Sequence, residues 1–353
     1  MTAPDSMLCL VPNGRLWGLL LVLVVGTAAC DGGEPDEASS TLETVRGDLG
    51  QRVDALREAM PRRDADGFRA PTAAALDRWR TLTAHLLDGE TTAARSLIAD
   101  AFPSYALARF RDTTVGRTYL FLREAPVVER GWGSVVVTPS PDRALAVEVP
   151  HPVFDLDTHR QGAALFRESG ARLLLLAGTH RCSNRAASPC DGQTGVCHDG
   201  TGPYPVSDMA HAATTPFQAA HEEATDRAPA LTTLSLHGNG NASCETVFLS
   251  AGVPGTSTAR LDALAQALDE RGVDVGVPGA SSCPLVGSTN VQGRYTNGAS
   301  SPCTNAADTA TGRFVHVEQR RPFRASAAEY GALIEAVNAV FDDSPYPCLS
   351  SPP

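Results

Sequence analysis

The sequence predicts an α/β fold: a mixed, mostly parallel sheet with helices on both faces, preceded by a small helical cap. Three observations carry this expectation. From Leu145 onward, apolar β-rich runs alternate with amphipathic helical stretches, as in strands joined by crossover helices. Arg172–Ala177 (RLLLLA) has no polar face, which suits a strand buried on both sides. The chain has 353 residues, 42% of them hydrophobic and 20% charged, enough for one large core with an appendage.

The elements follow in order. Arg15 precedes an apolar run, Leu16–Val25, and then Gly26-Thr27-Ala28-Ala29-Cys30. A run of about ten residues is too short to span a bilayer. Small residues before a cysteine resemble a bacterial lipobox, and that resemblance implies cleavage before Cys30 and a lipid on its thiol. Asp31–Ser40 (DGGEPDEASS) reads as a polar tether. The expected divisions are a signal peptide over 1–29, a tether over 30–40, a helical cap over 41–104, an α/β domain over 105–342 and a Pro-rich tail over 343–353. The expected location is the cell envelope, with the choice of membrane left open.

Leu42, Val45, Leu49, Val53 and Leu56 are spaced for a helix over Thr41–Met60, which Pro61 stops. Leu76, Trp79, Leu82 and Leu86 predict a second helix over Thr72–Leu87, and a third fits Thr91–Ala101. Tyr105–Arg111 and Arg117–Arg123 read as a hairpin. Trp132–Thr138 and Leu145–Val149 read as strands, His159–Glu168 as a helix and Arg172–Ala177 as a strand. Cys182–Val206 is a long loop, of a length that is usually functional or an insertion. Ser207–Asp226 is expected to be a helix capped by Ser207. Leu231–Leu236 and Val247–Ser250 are strands, Thr258–Arg271 a helix and Gly272–Val277 a short strand. After a second long loop, Ser281–Thr311, come the strand Gly312–Gln319 and the helix Ser326–Phe341.

Charge and cysteine content narrow the function classes. The net charge is −11, every basic residue is arginine, and no basic stripe occurs, so nucleic acid is not an expected partner. Without Cys9 and Cys30, seven cysteines remain: Cys182, Cys190, Cys197, Cys244, Cys283, Cys303 and Cys348. Their spacing does not fit the short pairs of zinc knots, so disulfides stapling the long loops are expected, with one thiol left over. There is no G-x-S-x-G, no P-loop, and no G-x-G-x-x-G after a strand.

The chemistry gathers at strand ends. The run Leu145–Val149 stops at Pro150 and releases His151, Asp155 and Asp157. His237 ends the strand in LSLHGNG, and the glycines after it leave room beside the imidazole. In RFVHVEQ, period two puts Phe314, His316 and Glu318 on one face, with Glu318 at the strand's end. Carboxyl edges of such sheets bind ligands. A histidine and a carboxylate after one strand, a histidine after another and a glutamate on a third are the parts of a zinc centre with a general base.

In order and context these motifs resemble the zinc carboxypeptidase superfamily, nearest to the N-formylglutamate amidohydrolases and phage-type poly-γ-glutamate hydrolases. VEVPHPVFD resembles the first-ligand strand and loop, LHG the strand of the second zinc histidine, and VHVEQRRPFR the strand of the catalytic glutamate. The resemblance covers roughly Leu145–Val340 and leaves out the cap and the Cys-rich loops. It implies zinc held by His151, Asp155 and His237, with Glu318 as general base toward a water and then toward the leaving amine. One departure stands: the family's first motif carries Glu, whereas here Asp155 is the choice and Asp157 the reserve. An arginine is implied for the oxyanion or a substrate carboxylate, and Arg181 and Arg294 are the candidates.

Other histidines have two readings each. His180 lines the pocket or caps a strand. Asp208 and His211 reach the site or merely open a helix. His316 backs Glu318 or is a satisfied core histidine, the more frequent case. His85, His198 and His221 have no assigned role. The expected function is an exported, lipid-anchored zinc amidohydrolase acting on a small-molecule, peptide or amide-polymer substrate. The alternative is a non-catalytic cell-surface binding lipoprotein on the same fold.

Overall fold

The computed structural model of the chain describes residues 42–125 and 127–341. The signal, Cys30 and the whole tether lie outside them, as do the Pro-rich tail and Cys348. No helix among the described residues is long and apolar enough to cross a membrane.

Strand β1 (Thr44–Gly47) leads into α1 (Leu49–Ala59), followed by α2 (Ala73–Asp88) and α3 (Thr91–Ala101). The strands β2 (Tyr105–Asp112), β3 (Thr118–Glu124) and β4 (Ser134–Val137) come next, then β5 (Arg143–Val149), α4 (Thr158–Ser169) and β6 (Ala171–Leu176). Two short strands, β7 (Gln193–Thr194) and β8 (Gly202–Pro203), pair with each other. They precede α5 (Pro216–Arg227), β9 (Thr232–Asn239), β10 (Val247–Ser250), α6 (Ala259–Asp269), β11 (Val275–Gly276) and α7 (Val291–Thr296). The chain then forms β12 (Phe314–Arg320), α8 (Arg321–Ala325) and α9 (Ala327–Val340).

Ten strands form one mixed sheet in the order β1-β2-β3-β4-β6-β5-β9-β12-β10-β11. Its centre, β6-β5-β9-β12, is parallel, as the buried apolar runs predict. Period two divides the side chains between two faces. Leu145, Val147, Leu234, Leu236, Val315 and Val317 face one core, with residues of α1, α4, α6 and α9. Each such burial is worth about 1.5–3 kcal/mol relative to exposure. The opposite face packs against α2, α3 and α5 on the β2–β6 side. Toward β9 and β12 it carries polar side chains instead.

The first hundred residues differ from expectation. Residues 44–47 extend as β1, parallel to β2, rather than opening a helix. Asp48 then caps α1 by accepting from the Gln51 amide at 2.9 Å. The helices of the expected cap are split: α1 packs on one face of the sheet, α2 and α3 on the other. Their apolar stripes report burial but not which face buries them. The helix expected from Ser207 begins later, at Pro216, where Thr215 caps it and proline suits the first turn. Ser207 instead stitches loop to loop, its hydroxyl donating to Arg181 O and accepting from Asn184 N–H.

Three disulfides order the long loops. Cys182–Cys197 closes the first, Cys190–Cys303 joins it to the second, and Cys244–Cys283 ties the β9–β10 connection to the second. Six of the seven expected cysteines are thus paired, compatible with an oxidising compartment.

Candidate metal centre

The turn after β5 is tight. His151 O accepts from both Phe154 N–H (3.1 Å) and Asp155 N–H (2.8 Å), a single helical turn. Residues four apart on such a turn lie on one side. Asp155 Oδ2 therefore comes back to 3.3 Å from His151 Nδ1. This is how the shorter carboxylate reaches. Asp157 turns away: it sits at φ 74 and pairs with Arg160 (3.7 Å) and Arg321 (3.5 Å).

β9 and β12 supply the rest. Their parallel register sets Glu318 directly beside His237. His237 Nδ1 stands 3.7 Å from the same Asp155 Oδ2. All three side chains are buried. Donors around a tetrahedral ion at zinc–ligand bond lengths are separated by about 3.3 Å, the spacing approached here.

The outer contacts suit this arrangement. His151 Nε2 is 2.8 Å from Asp208 Oδ1, an oxygen that also meets His211 Nδ1 at 3.0 Å. Arg181 donates to the other oxygen from Nε (3.0 Å) and Nη2 (2.5 Å). A carboxylate on the far nitrogen of a ligand histidine fixes its tautomer and orientation. His237 Nε2 meets Ser235 Oγ at 3.1 Å.

Two further donor groups are possible among the described residues, His151–Asp208–His211 and His237–His316–Glu318. In the former, distances of 2.8 and 3.0 Å are hydrogen-bond lengths and Arg181 already compensates Asp208. In the latter, Glu318 Oε1 and His316 Nε2 are 3.9 Å apart. The set His151, Asp155 and His237 is the best formed.

Electrostatics divides the roles. Burial, with neighbouring His316, His151 and His211, holds His237 well below the ordinary imidazole range, so it is neutral and keeps a lone pair. Burial and Arg181 pull His151 down, but Asp208 and Asp155 outweigh them and its pKa is raised. Asp208 stays ionised: burial opposes its charge, and Arg181, His211 and His151 more than compensate. Glu318 is pushed up to about 8 by burial and by the charge of Asp155. Its Oε2 is buried without a hydrogen-bond partner.

The arginines part company. Arg181 is at the site, bound to Asp208, its guanidinium carbon 5.4 Å from the Phe154 ring centre. The structure corrects Arg294, whose guanidinium is committed to Asp191 and to the carbonyls of Ser288, Pro302 and Cys303. It clamps the two disulfide-joined loops together. Its position between His237 and Glu318 in the sequence says nothing of the direction of its side chain.

Several residues escaped that reasoning. Arg324, buried, donates to Leu156 O (2.7 Å) and Gln319 O, tying the Asp155 turn to the end of β12. A Cβ on Gly238 would lie 2.3 Å from the Arg324 guanidinium carbon, so the glycine makes room for this arginine rather than for the imidazole. Tyr204 stacks on His211 at 3.8 Å. Ser235 was legible as two residues before His237 on the same face; Arg324 and Tyr204 carried no signal. Asp208, left open, is the hub of the outer contacts. His180 accepts from Cys182 N–H and packs on Phe154, and burial with nearby Arg63 lowers it to about 4. His85 pairs with Glu90 and His198 with Pro203 O, neither within the donor cluster.

No protein-family model matches the chain, and no curated protein does. Among solved structures it is similar to an N-formylglutamate amidohydrolase from Ralstonia eutropha, at 16% identity over 60% of this chain and 95% of that one, with a TM-score of 0.35. It is also similar to a metallo-carboxypeptidase from Burkholderia cenocepacia, at 13% identity over 71% and 67% of the respective chains, with a TM-score of 0.33.

Proposed function

We propose that the chain is an exported, lipid-anchored metal-dependent amide hydrolase, with zinc as the expected ion. The observation that carries this is the convergence of His151 Nδ1, His237 Nδ1 and Asp155 Oδ2 at strand ends beside the unpartnered oxygen of Glu318. Two imidazoles and one carboxylate suit Zn²⁺ and leave a coordination position open. When bound, the ion would polarise an amide carbonyl and acidify a water.

The chain's own groups do the rest. Burial and the charge of Asp155 favour the protonated acid while the centre is empty; a bound cation would oppose both, and Glu318 as the carboxylate, with Oε2 free, takes a proton from the attacking water and passes it to the leaving amine. Arg181 is the cation beside the centre that offsets negative charge developing on the carbonyl oxygen. Arg324 keeps the Asp155 turn and Glu318 at a fixed separation through two backbone carbonyls.

The test is metal content of the purified chain by elemental analysis, beside His237→Ala. About one zinc per chain, lost in the variant, supports the reading. A folded wild type that takes up no zinc after dialysis against it overturns the hydrolase and favours the binding lipoprotein.

A further inference from the structure

We propose that the cavity between α1 and α4 is a binding site for a small phosphate-type oxyanion, held by Arg57 and by His159 at the N-terminus of α4. The site is separate from the metal centre and does not rest on that reading.

The cavity has a volume of about 220 Å³. Asp54, Arg57 and Glu58 line it from α1, Asp157, His159 and Arg160 from the start of α4, and Arg321 from α8. Most of these charges are engaged with one another. Asp54 Oδ1 accepts from Arg160 Nε at 2.7 Å and lies 3.0 Å from His159 Nε2. Asp157 stands 3.7 Å from Arg160 and 3.5 Å from Arg321. Glu58 is exposed. Arg57 is the cation left over. Its guanidinium has no ion pair or hydrogen bond among the described residues, and its Nε is buried. Burial first, then the charge of Arg62, lowers its pKa; Arg160 adds to this, and Asp157 and Glu58 oppose it. A partly desolvated cation among other cations is unfavourable until an anion joins it.

Two further features meet at the same cavity. His159 is 4% exposed, and its Nδ1 is buried without a partner. It stands in the first turn of α4, a 12-residue helix whose N-cap, Asp157, makes no side-chain cap bond and whose first turn holds no acid. Thr158 and Arg160 N–H reach backbone carbonyls, whereas His159 N–H reaches none among the described residues. Amides at a helix start carry the positive end of its dipole, and phosphate groups bind there. An orphan guanidinium, an orphan imidazole nitrogen and an orphan amide thus line one cavity. A phosphate group near its second pKa of about 6 offers acceptor oxygens and a hydroxyl, so it pairs with Nδ1 whether that nitrogen donates or accepts. Leu156 and Asp157, the two residues after Asp155, also line the cavity, so an occupant touches the turn that leads out of the metal centre.

The test is a titration of the full chain with inorganic phosphate at pH 6, at an ionic strength held constant with chloride. Calorimetry reads the affinity, and NMR of ¹⁵N-histidine follows the His159 ring, assigned through His159→Gln. The expected result is saturable binding of about one phosphate per chain, with the His159 resonances moving along the same curve. Affinity should fall about 10–100-fold in Arg57→Gln and stay at the wild-type level in Arg52→Gln, which removes a charge from the same helix outside the cavity. Without phosphate, Arg57→Gln should withstand denaturant at least as well as wild type, because the charge it loses has no partner. His237→Ala should bind phosphate like wild type, which separates this site from any phosphate bound at the metal centre. No saturable binding, His159 resonances that stay still, or an equal loss in Arg52→Gln and Arg57→Gln overturns the proposal. Should Arg57→Gln fail to fold, the His159 resonances of the wild type still decide it.

Discussion

Two histidine–carboxylate groups lie on the same face of the sheet, one row apart, and the contrast between them is instructive. The lower group, Thr296–His221–Glu148, has the geometry of a hydroxyl–imidazole–carboxylate triad, with contacts of 2.9 and 2.7 Å. Yet Thr296 is only 2% exposed and both ring nitrogens of His221 are satisfied. All three are buried, so no substrate reaches them. The upper group, His151–Asp155–His237–Glu318, is spaced more loosely, at 3.3 and 3.7 Å, and leaves Glu318 Oε2 without a partner. Residue types and burial are alike in both. Each carboxylate keeps one unpartnered oxygen, Glu148 Oε2 below and Glu318 Oε2 above, so what separates the groups is spacing: hydrogen-bond lengths close a group, whereas longer convergent distances leave space for an ion.

The largest effect expected from this contrast is Glu318→Gln. Removing the general base while keeping the side-chain shape should lower amide hydrolysis by about 10²–10⁴-fold. Zinc content, read by elemental analysis, should stay at the wild-type level. Loss of the metal as well would place Glu318 among the ligands and redraw the upper group. Next in size is Asp208→Asn, which removes the charge behind His151. Zinc affinity should drop about 10–100-fold, measured by chelator competition. An unchanged affinity would reduce Asp208 to a partner of Arg181 alone.

Thr296→Val sharpens the other side of the comparison. It leaves His221 Nε2 without its hydroxyl, at an expected cost of about 1–3 kcal/mol in denaturant unfolding. Turnover should not change. Abolished hydrolysis in a folded, zinc-loaded variant would make the lower group catalytic and reverse the assignment.

The sequence made the upper group legible because each member ends an apolar run, and period two predicts which residues share a face. His316 and Glu318 are correctly phased on that ground alone. The central parallel strands were readable for the same reason, since burial on both sides writes itself into composition. What stayed hidden depends on chain segments without a period. Asp208 and Tyr204 sit in a loop ordered by disulfides, and Arg324 reaches back from α8 to two backbone carbonyls. Carbonyls have no residue-type signature, so such partners are invisible to pattern. Arg294 misled for a related reason: position between two motifs does not encode which of two loops a side chain grips. The split of the cap over both faces was hidden because an amphipathic stripe reports burial and not its partner.

A histidine remote from both rows gives the smallest effect and serves as their control. His159, on α4, meets Asp54 through Nε2 at 3.0 Å, and its Nδ1 is buried without a partner. Burial lowers its pKa to about 4; Asp54 and Asp157 oppose the shift and the charges of Arg57 and Arg160 add to it. The folded value thus lies below the ordinary 6.5, so on acidification the unfolded chain takes up the proton first. The stability contributed by neutral His159 is complete above pH 6.5 and declines between 6.5 and about 4, by on the order of 1 kcal/mol per pH unit. Chemical denaturation across that window should show the decline, and His159→Gln should make it shallower, His180 and His316 contributing the rest. Zinc content at pH 7 should be the same in both proteins, because His159 belongs to neither row. A slope untouched by His159→Gln would move the acid sensitivity to the other histidines that burial holds neutral, His180 at about 4 and His316 at about 3.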